Sequence, residues 1–132
     1  MEIRLAYASR SRVTADSPEM RAIEDAALRN NPRLGITGAL YYDGDQFFQV
    51  LEGPENAVAV LYDAIRKDPR HSEVTLVARH PIGHRLFGLW SMKFVNGVNR
   101  PQLAATFRAA EELLAPPPAH ALDPRIEALR QA

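Results

Sequence analysis

The sequence has no cysteine in its 132 residues, which excludes disulfides, thiolate metal sites and thiol catalysis. It also lacks an excess of either charge. Lysine plus arginine and aspartate plus glutamate stand at 16 each, so no global field draws the chain onto nucleic acid or anionic lipid. No apolar run approaches the roughly 20 residues that cross a bilayer, and the opening MEIRLAYASR holds no signal-peptide core. A soluble, cytoplasmic protein with neither nucleic acid nor membrane as partner is expected. There is no G-x-S-x-G, P-loop or dinucleotide glycine fingerprint, so hydrolase and nucleotide-triphosphate chemistry lack their usual signatures. His80 and His84 are four residues apart, but Pro81 and Gly83 forbid the helix that would join them as ligands, and no metal is expected.

What is present suits one compact core, with 46% of residues hydrophobic. Ile3, Leu5 and Tyr7 alternate with smaller or polar neighbours, the period of a strand that turns Tyr7 inward. Ser17-Pro18-Glu19 reads as a helix start, and Met20, Ile23 and Ala27 repeat at helical spacing up to Asn31. Pro32 disfavours helical geometry at the residue before it, which predicts that this helix ends at Asn31. ITGALYY and QFFQVLEG read as strands joined by Asp43-Gly44-Asp45, a short-range hairpin signal.

Gly53-Pro54-Glu55 opens a second helix with an inward stripe of Val58, Leu61 and Ile65, stopping before Asp68-Pro69. Strands follow around 74–80 and 89–95, the latter carrying Trp90, Met92 and Phe94 on one face. The order β-α-β-β-α-β-β predicts an α+β, ferredoxin-like split βαβ sandwich with both helices on one sheet face. Leu103, Phe107, Ala110 and Leu114 form a helical stripe over 101–115, Pro116-Pro117-Pro118 breaks it, and a last short helix follows Asp123-Pro124. These two helices are expected to cover the other face. The predicted division is a domain over 1–96 and a helical extension over 97–132, with no segment left for a separate effector domain.

Three polar residues interrupt apolar faces. Tyr7 alone reads as a packed tyrosine with a satisfied hydroxyl. Gln49, between Phe47 and Leu51 on the same strand face, needs a specific partner if it is buried. Asn31 alone reads as a helix terminator. Arg66 and Lys67 need no ligand to account for them, since basic groups complement a helix C-terminus.

Taken together, the first-strand tyrosine and the runs RNNPRLGITGAL, FFQVLEG, DPRH and FGLWSMKF resemble the BLUF family of blue-light sensors that use FAD. The resemblance covers roughly residues 1–95. It implies a non-covalently held FAD, with Tyr7 as electron and proton donor to the excited flavin, Gln49 as a switching amide and Asn31 on the pyrimidine edge. It places Ile23, Asn30, Asn31, Gln49, Asp68, Arg70 and His71 around the cofactor, with Asn30, Asp68, Arg70 and His71 toward its ribityl and phosphate end. Trp90 and Met92 become a signal-relaying pair on the last strand.

The residue chemistry agrees with that assignment. With no cysteine, a flavin–sulfur adduct is ruled out, whereas a phenol can release electron and proton together and leave no bare charge in a low-dielectric pocket. A glutamine carries donor and acceptor on one amide, so its rearrangement reverses what it offers each neighbour. The expected function is a photoreceptor rather than an enzyme, signalling to an unidentified protein partner through the last strand and the C-terminal helices. Homo-oligomerisation is also expected, through an apolar sheet face or the terminal helices. The competing readings are a light-insensitive flavin oxidoreductase and a colourless ferredoxin-like interaction module.

Overall fold

The computed structural model describes residues 1–14, 16–111 and 122–132. Its elements are β1 (Glu2–Ser11), α1 (Pro18–Leu34), β2 (Thr37–Tyr42), β3 (Gln46–Pro54), α2 (Glu55–Lys67), β4 (His71–Pro81), β5 (Lys93–Asn96), a 3-10 turn (Gly97–Asn99), α3 (Pro101–Glu111) and α4 (Pro124–Gln131). The expected fold class is found: an α+β sandwich on one five-stranded sheet of order β4-β1-β3-β2-β5. Leu114 and Pro116-Pro117-Pro118 lie outside the described residues.

The central strands owe their position to residues apolar on both faces, since only a strand covered on both sides buries such a sequence. Phe47 and Leu51 of β3 join Ile3, Leu5 and Tyr7 of β1 beneath Met20 of α1 and Val58 of α2. Phe48 and Val50 face the opposite way, into a second core with Phe107 of α3 and with Ile126 and Leu129 of α4. The two helical pairs therefore cover opposite sheet faces. The Asp43-Gly44-Asp45 turn sets the register, pairing Tyr42 with Phe47 and Leu40 with Gln49, while β1 pairs Tyr7 with Gln49. Both Tyr7 and Leu40 thus flank Gln49 on one face.

Helix α1 starts as expected, its Ser17 Oγ accepting from the Met20 amide at 3.1 Å with Pro18 in the first turn. It does not end at Asn31. The helix carries Pro32 within its last turn and stops at Gly35, whose φ of 69° is the left-handed geometry that glycine adopts without penalty. The pre-proline restriction is a bias against helical backbone at one residue, and here the last turn overrides it. The Gly35 and Ile36 amides both return to the Asn31 carbonyl.

The last strand also differs from expectation, because β5 spans only Lys93–Asn96. Trp90 and Met92 precede it and do not share a face. Met92 packs into the core beneath α1 and α2, whereas Trp90 packs on the side of α3 and α4. The segment leading into β5 passes from one side of the sheet to the other. It is held by Glu52, which is fully buried and accepts from Arg4 Nε at 2.8 Å, the Leu86 amide at 3.0 Å and the Phe87 amide at 2.7 Å. A buried carboxylate endures only when paired and fully hydrogen-bonded, so this anchor fixes the approach to Trp90.

Candidate functional site

A cavity of about 230 Å³ opens between α1 and α2 above the sheet. Tyr7 and Gln49 lie on the strands beneath it, with Leu40 beside them. From α1 come Ile23, Asn30 and Asn31, and from the end of α2 and the start of β4 come Asp68, Arg70 and His71. All eight residues expected to react with or surround the cofactor therefore line one space. Trp90 and Met92 do not line it. Met92 meets it indirectly, through Gln49.

The cavity exists because small residues stand where helices ordinarily interlock. Ala26 and Ala27 of α1 and Ala64 of α2 line it, and leave a slot between the helices that longer side chains would fill. Ala26, Leu40 and Ala64 went unmarked in the sequence pattern, whereas Ala27, Leu61 and Ile65 were read there only as inward-facing helix residues. The readable signal was alanine recurring on the inner face of both helices.

Beneath the cavity, the Tyr7 hydroxyl donates to Gln49 Oε1 at 2.5 Å. The Gln49 amide then donates from Nε2 to Met92 Sδ at 3.6 Å, a weak bond to a soft acceptor. Asn31 donates from Nδ2 to the Ser91 carbonyl at 2.9 Å, tying α1 to the residue between Trp90 and Met92. Burial pushes the Tyr7 phenol well above its ordinary pKa, so the hydroxyl keeps its proton across the physiological range.

At the α2–β4 end the charges are matched. Arg70 donates from Nε and Nη2 to the Asp68 carboxylate, and that hydrogen bonding holds Asp68 below the usual carboxylate range. Burial lowers the His71 pKa, favouring neutral imidazole. The His71 ring lies 4.6 Å from that of Phe47 and edge-on to Tyr7 at 6.1 Å, centroid to centroid.

These residues fit a flat, polar-edged aromatic ligand. Among the described residues Asn31 Oδ1 accepts no hydrogen bond, and between the helices the cavity is lined by aliphatic or small side chains, Ile23, Ala26, Ala27, Leu61, Ala64 and Ile65. Such a slot buries a ring and leaves amide groups for its polar rim.

The family described as sensors of blue-light using FAD, BLUF, matches residues 3–93, and the chain belongs to it. The photoactivated adenylate cyclase subunit beta of Euglena longa is 35% identical over 111 residues, covering 83% of this chain but 12% of that protein. Most of that relative therefore has no counterpart here. Among solved structures, ground-state BlsA superposes with a TM-score of 0.80 at 29% identity, covering 100% of this chain and 89% of that one. Dark-state BlrB gives 0.76 at 35% identity, covering 98% and 92%. The chain is a blue-light photoreceptor domain of a flavin-binding family. No helix among the described residues is long and apolar enough to cross a membrane.

Proposed function

We propose that the cavity holds FAD and that Tyr7 and Gln49 act together as a light-driven hydrogen-bond switch. The bound flavin, excited by blue light, supplies an electron vacancy that a neighbouring phenol can fill. Tyr7 is a suitable phenol, because it is buried, neutral and already bonded to a proton acceptor. Loss of an electron would make its hydroxyl strongly acidic; the proton would leave by way of Gln49 Oε1 and follow the electron to the flavin, and both would return to Tyr7 on recovery. A change in the Gln49 amide then alters what Nε2 offers to Met92. The observation that carries this reading is the Tyr7–Gln49–Met92 line of hydrogen bonds beneath a ring-sized slot.

Signal leaves along the chain. Met92 is followed by Lys93, whose Nζ donates to the main-chain oxygens of Leu129 at 3.2 Å and Ala132 at 2.5 Å. A shift at Met92 thus reaches α4 through one residue, and the output is delivered to a partner protein or a second copy. Exchanging two or three hydrogen bonds of about 1 kcal/mol each shifts an equilibrium by roughly ten- to a hundredfold, enough for signalling bias. The visible spectrum of purified protein in darkness, under blue light and during recovery tests the proposal. A flavin band that moves to the red and relaxes back is expected in the wild type and absent in Gln49→Leu. A shift that persists in Gln49→Leu would remove Gln49 from the mechanism.

A further inference from the structure

Ser9 lies two positions beyond Tyr7 on β1, almost fully buried, with its Oγ 2.9 Å from His71 Nδ1. The bond can run in either direction. If Nδ1–H donated, the Ser9 hydroxyl proton would need an acceptor of its own, and no other described residue bonds Ser9 Oγ. A buried hydroxyl donor without a partner is disfavoured. If Ser9 donates, both groups are satisfied and the imidazole proton resides on Nε2.

That leaves Nε2–H without an acceptor among the described residues, on a ring that lines the cavity. The ring is held against Phe47 and edge-on to Tyr7, so the donor has a set direction. Its neighbour Arg70 already spends Nε and Nη2 on Asp68. Burial favours the neutral ring, which keeps Nδ1 open as an acceptor for Ser9.

We infer that Ser9 is a positioning residue: it fixes His71 as a neutral Nε2–H donor, presented to an acceptor oxygen on the flavin's ribityl or phosphate chain. The inference rests on the flavin reading of the cavity. It gives Ser9 a role in cofactor affinity separate from the switch at Gln49.

Two measurements on wild type, Ser9→Ala and Ser9→Thr test it. Two-bond proton–nitrogen correlation spectra, with His71 assigned by comparison with His71→Gln, read the tautomer directly. Wild type and Ser9→Thr are expected to show Nε2–H, and Ser9→Ala a mixture of the two tautomers. Titration with riboflavin, FMN and FAD is expected to show roughly five- to tenfold weaker binding in Ser9→Ala, restored in Ser9→Thr, as follows from loss of one hydrogen bond. A loss with all three flavins assigns the acceptor to the ribityl chain, and a loss with FMN and FAD alone assigns it to phosphate. A wild-type Nδ1–H tautomer, or equal affinities for Ser9→Ala and wild type with every flavin, overturns the inference. If wild type binds no flavin, the photoreceptor reading fails instead, and the tautomer spectra still decide the direction of the Ser9–His71 bond.

Discussion

The Gln49 amide bridges Tyr7 and Met92, accepting at 2.5 Å from the tyrosine hydroxyl and donating at 3.6 Å to the methionine sulfur. The two bonds are unequal. The first is short and between strong partners, and the second ends on a weak acceptor. An amide held firmly at its oxygen and loosely at its nitrogen can change its nitrogen partner at low cost. That asymmetry makes Met92 the first residue to register a rearrangement.

Tyr7→Phe removes the donor while keeping the ring. Gln49 Oε1 then loses its protein partner, which costs about 1–2 kcal/mol of folding stability, small enough for the domain to stay folded. Flavin should remain bound, because the substituted phenyl ring still packs beneath the cavity. The reversible red shift should disappear, and light-minus-dark absorption spectra read it. A full shift in the variant would show that the phenol is not required.

Ala64→Leu is predicted to close the slot. Ala64 lines the cavity from α2, and a leucine there occupies space that a ring would need. Overpacking of this kind costs about 1–3 kcal/mol, here charged to ligand binding rather than to folding, since the unliganded cavity accepts the side chain. Flavin affinity should fall by about five- to a hundredfold while the urea midpoint of flavin-free protein stays level or rises. Unchanged affinity would place the ligand elsewhere.

Arg4→Met leaves Glu52 with two amide donors but without its directly bonded cation in a fully buried position. Breaking a buried ion pair by removing one partner costs about 3–5 kcal/mol, and equilibrium urea unfolding measures it. The segment through Leu86 and Phe87 should loosen first, which faster amide exchange at those two residues would report.

Local signals made much of this fold readable. The Asp43-Gly44-Asp45 turn fixed the β2–β3 register, and with it the meeting of Leu40, Gln49 and Tyr7. What local signals missed depends on the third dimension. Alternation through Trp90, Met92 and Phe94 resembles one strand face, yet the chain crosses the sheet plane between Trp90 and Met92, and a two-residue period cannot reveal a crossing. Pro32 pointed to an early helix end because the pre-proline bias is local, whereas the actual stop, Gly35, lies three residues later. Ser9 and His71 are 62 positions apart, and the β1–β4 register shifts twice on the way. Counting along the sequence therefore could not have paired them.

Lys93→Met tests the route to α4. The lysine holds two main-chain oxygens near the end of that helix and lies 4.7 Å above the Trp90 ring. Methionine keeps the length and loses both hydrogen bonds, so amide exchange over 125–131 should quicken by roughly five- to tenfold. The dark spectrum and the light-induced shift should be retained, because the cavity is untouched. Unaltered exchange in α4 would break the proposed link between Met92 and the C-terminal helices.

Acid should destabilise the domain, with His71 acting first. Its folded pKa lies below the ordinary value of 6.5 because burial disfavours the charged ring. As pH falls below 6.5 the unfolded chain therefore takes up a proton that the folded chain refuses, and stability drops until the folded pKa is passed. Asp68, held below its ordinary 3.8 by Arg70, contributes stability that is present above 3.8 and lost only as pH falls further. Between pH 7.5 and 5.5 the histidine alone of this pair should matter, with a slope of at most about 1.4 kcal/mol per pH unit. Urea unfolding across that range should give a shallower dependence in His71→Gln than in wild type, the difference isolating this ring from the other histidines. Equal slopes would mean that His71 binds its proton as readily in the folded protein as in the unfolded chain, and is not held neutral beside Ser9.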